Sequence, residues 1–125
     1  PMHDDRAARL LLSQMVQAIR MYRPDVVICD TPLGGLNLLV QEATKEAFRQ
    51  ASDPAVCPAQ IDKLGLEAWK PRKLYTSSKS GLVILDTSAI SPRLGTTPRD
   101  YAADAALLLG QSTPAISEHF TLCAT

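Results

Sequence analysis

The stretch Asp25-Val-Val-Ile-Cys-Asp30 decides the fold class. It is a short, continuous β-branched run without the alternation of a half-exposed strand, the pattern of a strand buried on both faces of a parallel sheet. Parallel strands need crossover connections, and the flanking residues supply helices. Upstream, Ala8, Leu11, Leu12, Met15, Val16, Ile19 and Tyr22 recur at three- and four-residue steps. That spacing predicts an amphipathic helix over residues 5–22, with Asp4 or Asp5 accepting the free amides at its start. Pro24 stops the helix, because its ring disfavours helical geometry at Arg23 and it lacks an amide donor. Downstream, a Gly-containing loop is expected over residues 31–37. Asn37 then caps a helix reaching about Ala51, with Val40, Ala43, Ala47 and Phe48 inward and Glu42, Lys45, Glu46 and Arg49 outward.

Further along, residues 52–71 hold Pro54, Pro58 and Pro71 and little periodicity apart from one helical turn expected at 59–63. Connections of this length often serve function or cover a neighbour. Two strands are predicted at 73–76 and 82–87, separated by the Ser77-Ser-Lys-Ser-Gly81 turn. Thr97-Pro-Arg-Asp100 supplies a capping hydroxyl, a proline for the first helical position and a first-turn carboxylate, ahead of a helix over 101–109 that Gly110 terminates. Residues 111–125 read as an irregular tail whose Phe120 and Leu122 dock on something. There is no internal repeat. The whole reads as a single α/β domain over 1–125, with a small, mostly parallel sheet flanked by helices.

Composition narrows function. The 125 residues carry 13 basic and 13 acidic side chains, so the clustered basic excess that tracks nucleic-acid phosphates is missing. Trp69-Lys-Pro-Arg-Lys73 mixes aromatic and basic groups, but a solvated loop entering a strand accounts for it. The longest apolar runs, at 26–29 and 82–85, are strand-sized, far below the roughly 18 residues a membrane span needs. Neither nucleic acid nor membrane is expected as a partner. Cys29, Cys57 and Cys123 are odd in number and lack motif spacing, so they read as reduced, which favours a cytoplasmic location. Pro1 stands ahead of the first Met, and no signal segment opens the sequence, so it is expected to be a piece of something longer. A domain this short buries about two-thirds of its unfolded surface, and only 5% of its residues are aromatic. A homo-oligomer or a larger protein partner is therefore expected.

Several segments in order carry a family resemblance. They are Gln14-Met-Val-Gln-Ala-Ile-Arg-Met-Tyr-Arg-Pro-Asp-Val-Val27, Gln41-Glu-Ala-Thr-Lys-Glu-Ala-Phe48, Ala51-Ser-Asp-Pro54 and Trp69-Lys-Pro-Arg-Lys-Leu-Tyr75. With the stretch from Asp86 through the Pro92-Arg-Leu-Gly95 turn to Asp100-Tyr101, they resemble the LmbE-like or PIG-L family of zinc-dependent N-deacetylases over residues 10–110 or so. The resemblance implies a Rossmann-like α/β domain, here partial, with its site above the carboxyl ends of the strands. It also implies zinc-activated water attacking the acetamide of an N-acetylated sugar, with histidines and carboxylates holding the metal.

The sequence departs from the family where the chemistry lies. The first motif, His-Pro-Asp-Asp after a strand, has no counterpart. The second, a Gly-Gly-His-x-x-His loop, aligns with Gly34-Gly-Leu-Asn-Leu38, which puts Asn37 nearest the ligand histidine. Asn is a poor zinc ligand beside imidazole. The later histidine also lacks a match in residues 107–114. His3-Asp4-Asp5 reads as a solvated helix start whose carboxylates favour the dipole, and His119 as an ordinary surface or packing histidine. Cys29 reads as core, since nothing basic adjoins it.

No residue is thus assigned as catalytic or metal-ligating, and no cofactor is expected in this chain. The candidate substrate-pocket residues are Asp30, Gly34, Gly35 and Asn37, although Asp30 also suits a local turn and Asn37 a helix cap. The expected function is a catalytically degenerate LmbE-like module acting by binding or assembly, with an N-acetylated sugar as a possible ligand. One alternative is a piece of an active zinc deacetylase completed by residues outside this chain. Another is an unrelated small α/β interaction module, which stands if the Val26 and Leu82 strands are not parallel neighbours.

Overall fold

A computed structural model describes residues 2–31, 34–112 and 117–125. Helix α1 (Met2–Tyr22) leads to strand β1 (Val26–Cys29), α2 (Gly35–Gln50) and the short α3 (Pro58–Asp62). Strands β2 (Lys73–Ser77) and β3 (Val83–Asp86), helix α4 (Pro98–Leu108) and strand β4 (Ser117–Ala124) follow. The strands form a four-stranded sheet in the order β1-β2-β4-β3. The chain is α/β. The sheet is mixed rather than mostly parallel: β1 runs parallel to β2, with Cys29 opposite Thr76, and β3 runs antiparallel to β4, with Ile84 opposite His119. The residues divide into two compact units, Pro1–Thr76 with Leu122–Thr125, and Ser77–Thr121.

In the first unit, the stripe on α1 packs against α2. Val16, Ile19, Ala47 and Ala51 form one buried cluster, bordered by Leu12, Met15 and Trp69, while Cys29, Phe48 and Leu74 form a second. Helix α1 already includes Met2, so Asp4 and Asp5 lie within its first turns. It stops where expected: Arg23 turns left-handed at φ 50° ahead of Pro24, its guanidinium lies 4.8 Å from the Trp69 ring centroid, and Trp69 Nε1 donates to the Pro24 carbonyl at 2.9 Å. Trp69 thus belongs to the core border. The long connection after α2 is tied down by Arg20, which donates to the carbonyls of Ala51 at 3.1 Å, Asp53 at 2.7 Å and Cys57 at 3.4 Å, and to Gln60 Oε1 at 3.1 Å.

Strand β1 corrects the expectation of burial on both faces, since Val26 and Ile28 are 45% and 57% exposed. Its side chains alternate between faces, and only the side carrying Val27 and Cys29 is covered. On α2, Ala43, Ala47 and Phe48 face inward as expected, while Val40 is exposed and Gln41 is buried instead.

In the second unit, α4 starts as its sequence dictates. Thr97 Oγ1 accepts from the Asp100 amide at 3.0 Å, Pro98 opens the first turn, and Gly110 follows the last at φ 65°. The Pro92-Arg-Leu-Gly95 turn is closed by a bridge between Ser91 and Thr96. The tail is not irregular throughout: residues 117–124 form β4, which lies between β2 and β3, so those two strands are not neighbours across their turn. Residues 113–116 of the expected tail, and Pro32 and Leu33 of the expected loop, lie outside the described residues. Among the described residues, no helix is long and apolar enough to cross a membrane.

Candidate functional site

The candidate site grows from the carboxyl end of β1. The strand delivers Cys29 inward and Asp30 into the turn that follows. Gly34 then adopts φ 116° and ψ 170°, and Gly35 φ 43°, conformations that L side chains resist. These two glycines lead directly into α2. The helix therefore begins at Gly35 with Gly34 as its N-cap residue, and Asn37 is not the cap: it sits in the first turn, its amide donating to the Gly34 carbonyl at 3.1 Å. This frees the Asn37 side chain from the capping role its residue type suggested.

Asp30 and Asn37 come together. With Ile28, Cys29, Val40, Gln41 and Thr44 they line a cavity of about 270 Å³ between the end of β1 and the first turns of α2. Gly34 and Gly35 are not among the residues that line it. Gln41, Thr44 and Val40 escaped sequence reasoning. Their signal is the i, i+3, i+4, i+7 spacing from Asn37, which marks one helix face, and of the three only Val40 was expected to face inward. Thr44 Oγ1 donates to the Val40 carbonyl at 2.7 Å and lies 3.5 Å from Met15 Sδ. Outside the cavity, Lys45 Nζ pairs with Glu42 at 2.9 Å, an exposed contact that pushes the Lys45 amine up from its ordinary value.

The electrostatics suit recognition more than nucleophilic attack. Asp30 is exposed, and the adjacent helix start presents a positive dipole end that favours a carboxylate. Burial pushes the Cys29 thiol up from its ordinary value, and the Thr44 hydroxyl hydrogen bond offsets this only in part. A thiol held protonated is a weak nucleophile and a weak metal ligand.

The donor set also fits zinc poorly. The cavity offers one carboxylate, two side-chain amides, a hydroxyl and that protonated thiol, whereas zinc sites are built from imidazole, thiolate and carboxylate groups. Among the described residues, no three His, Cys, Asp or Glu side chains are grouped to hold a metal. His119 lies in the second unit, on β4, and Asp5 lies within α1. What the cavity can do is hydrogen-bond a small polar molecule, with acceptors at Asp30 and both donors and acceptors at Asn37, Gln41 and Thr44. Neither known protein-family models nor curated proteins give any match to the sequence.

Proposed function

We propose that this chain is a binding module of LmbE-like or PIG-L-like descent that has lost the zinc chemistry, and that its cavity takes a small polar ligand such as an N-acetylated sugar. The observation that carries this reading is the convergence of Asp30 and Asn37, seven residues apart, on one cavity at the carboxyl end of a parallel-paired strand. The cavity volume, about 270 Å³, falls just under the roughly 300–1,000 Å³ typical of drug-sized ligands, which suits a single small molecule. Hydroxyl and acetamide groups match its amide, carboxylate and hydroxyl lining. The chain acts by binding or by assembly with a second copy or a larger protein.

A second reading, an unrelated small α/β interaction module, draws support from the sheet order: β1 and β3 are separated by β2 and β4. Elemental analysis of protein purified without chelator or affinity tag, paired with an assay for acetate release from N-acetylglucosamine, tests the loss of zinc chemistry. Zinc well below one per chain with no acetate release is expected. Near-stoichiometric zinc with acetate release would overturn the degenerate reading in favour of a working deacetylase.

A further inference from the structure

The Ser77-Ser-Lys-Ser-Gly81 turn is pressed onto β4. The Ser78 amide donates to the His119 carbonyl at 2.9 Å, and the Gly81 amide donates to the Ser78 carbonyl at 3.3 Å. A side chain at Gly81 would fall on the Phe120 backbone, so glycine is what allows the turn to lie this close. The approach opens a second cavity, of about 250 Å³, lined by Ser77, Ser78 and Lys79 from the turn side and by Ser117, Glu118 and His119 from β4.

The geometry fixes the imidazole tautomer. His119 Nδ1 lies 3.2 Å from the Gly81 carbonyl oxygen, which can only accept, so Nδ1 carries the proton. Nε2 lies 3.5 Å from Ser117 Oγ. Protonation there adds a donor and a positive charge on the Ser117 side of the ring. Lys79 is exposed and makes no ion pair among the described residues. Two carboxylates bear on this group. Glu118 lines the cavity beside Ser117 and His119, so an anion must sit toward Lys79 and the ring, and Asp86, opposite Ser117 on β3, accepts from the Ser88 amide at 2.8 Å and its hydroxyl at 2.6 Å.

We propose that this cavity is a binding site for the phosphate group of a small phosphate monoester. Lys79 and the His119 imidazolium supply charge, and the hydroxyls of Ser78 and Ser117 supply further donors. A tetrahedral group with three terminal oxygens uses donors arriving from both sides of a cleft, which a planar carboxylate does not. The site is independent of the Asp30 cavity, which lies in the other unit.

The test is an NMR titration of the whole chain with inorganic phosphate and, separately, with glycerol 3-phosphate, against chloride at equal ionic strength. Saturable shifts at residues 77–81 and 117–119 are expected, together with an upward move of the His119 titration midpoint when ligand is present, since a bound anion favours the imidazolium. Affinity should fall as pH rises through that titration. The ester should bind more tightly than free phosphate. Lys79→Ala should weaken binding about tenfold or more, the worth of one charge-assisted hydrogen bond, and His119→Gln should remove the pH dependence with the remaining spectrum unchanged. Shifts that do not saturate, an unmoved His119 midpoint, equal binding by Lys79→Ala, or free phosphate matching the ester would each overturn the proposal.

Discussion

At the last turn of α1, Arg20 is 1% exposed, and its guanidinium meets three backbone carbonyls and one amide oxygen but, among the described residues, no carboxylate. A buried cation without a counter-ion is tolerable only when its donors are satisfied, and here they also satisfy the turns of residues 51–60. Arg20→Met keeps the aliphatic stem and strands those acceptors. It should lower stability by about 3 kcal/mol or more in urea unfolding, and a loss below about 1 kcal/mol would show that the network holds little. The sequence marks Arg20 only as a basic residue at a helix end, because its partners lie 31 to 40 positions away. Cys29 offers a second residue-scale prediction. Its raised thiol value means that the neutral form stabilises the fold fully below the ordinary thiol range, and that this contribution is lost as pH rises through the raised value. Maleimide should therefore label exposed Cys123 well before buried Cys29 near neutral pH. Equal rates would contradict the burial.

Elements with local start and stop signals were legible in the sequence. Helix α4 carries its cap, its proline and its terminating glycine within its own segment, and the structure uses all three. Strand β4 was not legible, because a strand is defined by its neighbours, and its place between β2 and β3 depends on residues some 40 positions upstream. The same non-local dependence misled the reading of β1, whose apolar run implies two covering layers where the described structure supplies one. At the candidate site, the end of β1 and the paired glycines were readable as a turn into a helix. The start of α2 was placed three residues late, because Asn37 is a better capping residue than Gly34. The backbone at Gly34 decides the geometry. Gly34→Ala, at φ 116°, should destabilise the chain by about 1–3 kcal/mol and shift the amide resonance of Asn37. A neutral substitution would mean that the turn does not require glycine.

Across the molecule, burial is uneven. Nearly all the buried apolar side chains belong to the first unit, from Val16 and Ile19 through Ala47, Phe48 and Leu74, while Ala106 stands for the second. Leu82 to Leu85 and Leu107 to Leu109 are exposed in that second unit, which keeps a second copy or a larger partner among the proposals. Local opening follows buried contact, so amides of α1, α2 and β2 should exchange orders of magnitude more slowly than those of β3 and α4. Uniform protection across both units would contradict this. The Asp30 and Asn37 cavity is proposed to bind a small polar ligand. A sugar of about 15 heavy atoms at roughly −0.3 kcal/mol per atom would bind with Kd on the order of 1 mM. The decisive measurement is an NMR titration of the chain with N-acetylglucosamine. Saturable amide shifts confined to Asp30, Asn37, Gln41 and Thr44, and lost in Asn37→Ala, are expected. An unchanged spectrum at several times that concentration, or shifts that survive Asn37→Ala, would contradict the account.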